Sequence, residues 1–162
     1  MAFERTDYCG GEVGVVRLTS SSDDLGFIQL GRDVDAGFIY KVLAAVIDRQ
    51  GFPEHAELMF SVIRVDLNAD TEEDISDGLA TRSFLMGDDR RYCLSLICGL
   101  VEHLVRDATS PILVMNTVTP NLPTKALRKY EEVAAAITRA GYQGGQVDPY
   151  HGSRQWLFER VA

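Results

Sequence analysis

An α+β fold is predicted, a mixed sheet packed by three helices in the approximate order β-β-α-β-β-α-β-α-β-β. Three segments carry apolar residues at helical spacing, and short Val-, Ile- and Leu-rich runs lie between them. The two kinds of segment do not alternate strictly, which favours this class over a doubly wound parallel fold. The 162 residues are 46% apolar and 25% charged, with no internal repeat, low-complexity segment or Pro/Gly/Ser-rich linker. They suit a single globular domain over 1–162, able to bury about 70% of the surface its unfolded chain exposes.

Glu12–Ser20 is rich in Val and Leu and suits a strand, with Leu25–Leu30 as a short partner. Asp33 or Asp35 can cap a helix running to about Gln50, since Phe38, Ile39, Val42 and Val46 recur at helical spacing before Gly51 and Pro53 stop it. Residues 56–67 fit two periods. Leu58, Val62 and Val65 suit a helix, while Met59, Ile63, Val65 and Leu67 alternate; the Val and Ile content favours a strand. An acidic loop follows, then a strand from Leu79 to Met86.

Asp88 or Asp89 is placed to cap the next helix, to about Arg106. Tyr92, Leu96, Ile97, Leu100, Val101 and Leu104 give it a broad apolar face. Ile112–Met115 reads as a buried strand. Pro123 opens a helix whose stripe of Leu127, Tyr130, Val133, Ala134 and Ile137 ends at Gly141. A crossover between parallel strands can run from Ile112 through this helix to Val147. A hairpin of Gln143–Asp148 and Gln155–Arg160 closes the chain, with Trp156 and Phe158 facing the core.

The 24 acids and 16 bases leave a net charge of −8. The bases are scattered, with Arg90-Arg91 and Arg128-Lys129 the only adjacent pairs, so direct nucleic-acid binding is not expected. The acidity either serves solubility or forms a face for a basic partner. Cys9, Cys93 and Cys98 make no Cys-x-x-Cys pair, and His55, His103 and His151 are far apart in sequence, so neither a metal site nor a cofactor is expected. An odd cysteine count without a framework suggests a reducing compartment. The start of the chain lacks the pattern of a signal peptide, and no apolar run approaches the ~18 residues of a membrane span. A soluble cytoplasmic protein is expected.

Three constellations can carry function. Asp66–Asp77 holds six acids and no base. It starts like an EF-hand loop, but Thr71 replaces the required glycine and Asp77 the longer bidentate Glu, so calcium is not expected. The stretch is a solvated loop or, through Glu72, Glu73 and Asp74, an acidic docking loop. The terminal turn gathers Asp148, Tyr150, His151, Ser153, Arg154 and Trp156. His151 is the candidate general base or pH-sensitive contact, and Tyr150, His151 and Arg154 are candidate partner contacts. The alternative is that Tyr150 and Trp156 anchor the hairpin and the rest is solvated. Asn116, Thr117 and Thr119 lie between the buried strand and the long helix, as an anion-binding loop or a helix cap would.

A Gly-x-Ser-x-Gly elbow and both Gly-rich phosphate motifs are missing. Cys93–His151 and Cys9–His151 are the conceivable nucleophile pairs. The order of elements from Val16-Arg17-Leu18 to the hairpin resembles that of small acetyltransferases of the GCN5-related kind. In that family a Gly-rich loop before the central helix cradles the coenzyme A pyrophosphate. Here that place reads Met86-Gly87-Asp88-Asp89-Arg90-Arg91, whose acids repel a diphosphate, so no site is carried over. The leading expectation is an acidic protein-binding module, a regulator, inhibitor or immunity-type partner of another macromolecule. The alternative is a small acyltransferase-like or hydrolytic enzyme using His151 and its neighbours.

Overall fold

The computed structural model describes residues 3–8, 14–20, 23–76 and 78–162. In chain order these form β1 (Phe3–Arg5), β2 (Val16–Thr19), β3 (Asp23–Asp33), β4 (Phe38–Asp48), β5 (His55–Asp66), β6 (Thr71–Asp74), α1 (Gly78–Arg82), α2 (Asp88–Asp107), β7 (Ile112–Asn116), α3 (Thr124–Arg139), β8 (Tyr142–Tyr150) and β9 (Ser153–Arg160). The strands make one nine-stranded mixed sheet, ordered β1-β3-β4-β5-β7-β9-β8, with β2 also on β3 and β6 also on β5. With three helices packed on it, the fold is α+β as the sequence predicts.

The β3-β4-β5 meander is the centre of the sheet, and β5–β7 is its parallel pair. That pair is short, joining His55–Leu58 to Ile112–Met115. Farther along the same edge, β6 takes Ile63–Asp66 of β5. The β4–β5 connection turns at Gly51, whose φ of 80° suits glycine.

Helices α2 and α3 cover one face. Leu96, Ile97, Leu100, Val101, Leu104 and Val105 of α2 are buried against the sheet, and the Cβ that Gly26 lacks would stand 2.7 Å from Leu100 Cδ1. Tyr130 of α3 stacks on Trp156 of β9 at 5.3 Å and 11°, and meets Phe60 of β5 at 5.5 Å. Trp156 and Phe158 are buried at 3% and 1% exposure, on the face expected for them.

Several elements differ from expectation. The helix expected up to Gln50 is the central strand β4. Its run Phe38–Ile47 is apolar on both faces, so helical spacing and alternation both find matches there; the Ile and Val content and two long strand partners decide for the sheet. The strand expected at Leu79–Met86 is instead the short helix α1 followed by a turn into α2, with Phe84 stacked on Tyr40 at 4.2 Å. Part of the acidic loop is the strand β6. Gly87, not Asp88 or Asp89, is the N-cap of α2; the two acids fall in its first turn, where they oppose the positive end of the helix dipole. Strands β7 and β8 run parallel across α3, but β9 lies between them. The first predicted strand shortens to β2, and Glu12 and Val13 lie outside the described residues.

Candidate binding surface

Paired residues in adjacent strands share a face, and successive residues alternate. Phe60 meets α3, so Leu58, Phe60, Val62 and Arg64 face the helices while Glu57, Met59, Ser61, Ile63 and Val65 face away. Pairing carries the second set to Ile39, Lys41, Leu43, Ala45 and Ile47 of β4, to Leu25 and Phe27 of β3, and to Val16 and Leu18 of β2. Among the described residues no helix covers this face. Val16, Leu18 and Met59 are 56%, 55% and 48% exposed, and Leu25, Phe27, Ile39, Leu43, Ile47, Ile63 and Val65 are half-buried. The result is a contiguous apolar surface across four strands, the kind of patch that marks an interaction site.

At one end of this face lies a groove of about 310 Å³, lined by Ile47, Asp48, Arg49, Gln50, Phe52, Glu57 and Met59. The Arg49 guanidinium lies over the Phe52 ring at 5.1 Å, and Phe52 stacks on His55. Glu57 accepts a hydrogen bond from Asn116 Nδ2 at 3.2 Å, and Asn116 Oδ1 accepts one from Gln155 Nε2 at 2.9 Å. This chain fixes the Glu57 carboxylate across three strands.

The acidic residues do not act as a block. Glu72 pairs in register with Val65 and Asp74 with Ile63, which places both at the edge of the uncovered face. Glu73 pairs in register with Arg64, forms an ion pair with it, and stands on the helix-covered side.

The two other constellations are brought together. Thr117 is buried; its N–H donates to the Arg154 carbonyl at 2.9 Å, and its Oγ1 accepts from the Arg154 N–H at 3.0 Å. The Asn121 N–H donates to the Gly152 carbonyl at 2.8 Å. The loop carrying Asn116, Thr117 and Thr119 is therefore laced to the hairpin turn. Asn116 and Thr117 use their polar groups internally, while Thr119 is exposed.

His151 and Gly152 have φ of 48° and 78°, a two-residue hairpin turn with both central residues left-handed. His151 is exposed and touches Tyr150 edge-on, and Tyr150 is 70% exposed. Cys93 lies in the core, where burial pushes its thiol up to about 12. Such a thiol is protonated at neutral pH and is no nucleophile. His151 stands at an exposed turn and is no partner for it. Cys9 lies outside the described residues. Among the described residues no group of three His, Cys, Asp or Glu could hold a metal ion, and no helix is long and apolar enough to cross a membrane.

Sequence reasoning missed the uncovered face because it placed β4 in a helix. The available signal was the apolar run Phe38–Ile47 itself, too apolar on both sides for a strand with a solvated face. No protein-family model, curated protein or solved structure matches the chain.

Proposed function

We propose that the protein is an acidic protein-binding module, a regulator, inhibitor or immunity-type partner of another macromolecule, working in the cytoplasm. The observation that carries this reading is the sheet's second face. Ten apolar side chains from β2, β3, β4 and β5 lie there without a covering layer among the described residues, although a sheet face of this composition is ordinarily buried by another layer. Glu72 and Asp74 give the patch a charged edge, matching the apolar centre and polar rim of protein interfaces. The reduced Cys93 and Cys98 support a reducing compartment.

Parallel affinity capture from the native host tests the reading. The immobilised protein is compared with a Leu18→Thr/Met59→Thr variant, changed only at exposed positions of the patch. A partner held by the first and lost by the second supports it. A partner held equally by both contradicts it.

A second reading, a small acyltransferase, is favoured by the short parallel β5–β7 pair and by the order of elements that follows it. Against it stand β6 and α1, which occupy the segment between β5 and the central helix, and Asp88 and Asp89 in the first turn of α2. A thermal shift on adding coenzyme A would support this second reading.

A further inference from the structure

We infer that the occupant of the uncovered face is a basic amphipathic helix of the partner, lying along β4; this rests on the protein-binding reading above. Charge carries the argument. Following the strand register, the strands of the face bear six acids, Glu4, Asp23, Glu57, Glu72, Asp74 and Glu159, against the two strand cations Arg32 and Lys41. The groove at its end adds one acid and one base, Asp48 and Arg49, which leave the balance unchanged. Both strand cations are engaged by acids of the same face, Arg32 with Glu4 and Lys41 with Glu72 at 3.8 Å. Asp23, Glu57, Asp74 and Glu159 have no ion pair among the described residues.

The four surplus carboxylates are spread around the apolar centre. Asp23 and Glu57 are both in register with Ile47 at one end, Asp74 is in register with Ile63 toward the other, and Glu159 is on the β9 side. A second copy of the chain would set these acids against an equally acidic surface. A helix with a leucine-type stripe and flanking Lys or Arg meets both the stripe and the rim.

Size agrees. The patch spans about four strands at ~4.8 Å spacing and about nine residues at ~3.3 Å rise, roughly 20 by 30 Å. A helix of about 20 residues has that length. The outline, roughly 600 Å², is about three quarters of the ~800 Å² per partner of a stable interface, and the acidic rim lies outside it.

The test titrates the full chain with a synthetic helix of about 18 residues, Leu at i, i+3, i+4 and i+7 with Lys elsewhere, and with its counterpart carrying Glu for Lys. Fluorescence anisotropy is read at low and high salt. The Lys helix is expected to bind at least ~10-fold more tightly than the Glu helix, and to weaken at least ~10-fold on Leu18→Thr/Met59→Thr and with added salt. Glu72→Gln/Asp74→Asn should weaken it, while Glu73→Gln/Glu131→Gln should not, because Glu73 stands on the helix-covered side and Glu131 is exposed on α3. Circular dichroism establishes that each variant is folded.

Equal affinity for both helices, or binding indifferent to the face variants, overturns the inference. Sedimentation showing a dimer that Leu18→Thr/Met59→Thr dissolves assigns the face to a second copy. That outcome overturns the basic helix and leaves the protein-binding reading standing. The reading itself falls by the separate result of a host partner held equally well by the face variant.

Discussion

Glu72 and Glu73 are adjacent in the chain and stand on opposite sides of the sheet. Glu73 forms an ion pair with Arg64 on the helix-covered side, and Glu72 lies 3.8 Å from the Lys41 ammonium on the uncovered side. The densest acidic stretch of the sequence is thus divided by the strand pleat into two surfaces with different neighbours.

The division predicts unequal effects. Glu72→Gln/Asp74→Asn should slow association with a partner and flatten its salt dependence, because rim charges act mainly on encounter. Glu73→Gln should leave association unchanged and alter stability by less than about 1 kcal/mol, as expected for an exposed pair. Stopped-flow association at two ionic strengths checks the first, and urea denaturation the second.

In the terminal hairpin, core and turn should separate cleanly. Trp156 is 3% exposed and stacked on Tyr130, so Trp156→Ala should cost roughly 3–5 kcal/mol. His151 is exposed and holds a left-handed φ of 48°. His151→Gly should then change stability by no more than about 1 kcal/mol, in the stabilising direction, because glycine removes the Cβ strain. Thermal unfolding of the two variants distinguishes these roles; a destabilising His151→Gly with a harmless Trp156→Ala would reverse the assignment.

Two adjacent glycines in β8 should behave differently. A Cβ at Gly144 would lie 2.0 Å from the Leu157 carbonyl oxygen, at a φ of 156°, whereas nothing stands within 4 Å of one at Gly145. Gly144→Ala should cost at least about 2 kcal/mol, since strand backbone cannot swing aside. Gly145→Ala should stay within about 1 kcal/mol of the parent. Denaturant midpoints of both variants provide the check.

Acid dependence should appear at Arg17, whose guanidinium bonds Asp24 of β3 and Asp107 at the end of α2. The hydrogen bond from Arg17, partly opposed by burial, holds the Asp24 carboxyl below its ordinary range, and the same guanidinium lowers Asp107. A carboxyl depressed in the folded state contributes stability that is fully present above the unfolded value of about 3.9 and is lost as pH falls through the folded value. The stability difference between the parent and Arg17→Ala should therefore be constant from neutrality to about pH 5 and shrink below about pH 4. Urea midpoints across that range measure it; a difference that grows on acidification would refute the sign.

Most of the fold was legible where one periodicity had no competitor. The stripe of α3 and the alternation of Trp156 and Phe158 each admit one reading; both stand, save that Ala136 is buried where the stripe named the half-buried Ala134. Phe38–Asp48 admits two, and only its long-range pairing with β3 and β5 resolves them. The candidate surface was partly legible for the same reason. Acidity is local and visible, so Glu72, Glu73 and Asp74 stand out together in the sequence. The separation of Glu72 and Asp74 from Glu73 depends on β6 pairing with β5, which no local pattern in an acid-only stretch reveals. The link between Thr117 and Arg154 joins residues 37 apart and follows from strand order alone.

Two methionines make the most direct test of the uncovered face as the binding surface. Met59 lies on that face at 48% exposure, and Met86, at 72%, lies in the turn between α1 and α2, which leads into the helix layer. Hydroxyl-radical labelling of the free protein and of its complex with the host partner, read by mass spectrometry at each methionine, compares them within one chain. The account predicts that oxidation of Met59 falls sharply in the complex while that of Met86 is unchanged. Unaltered labelling of Met59, with protection of Met86 or Tyr150 instead, would contradict it.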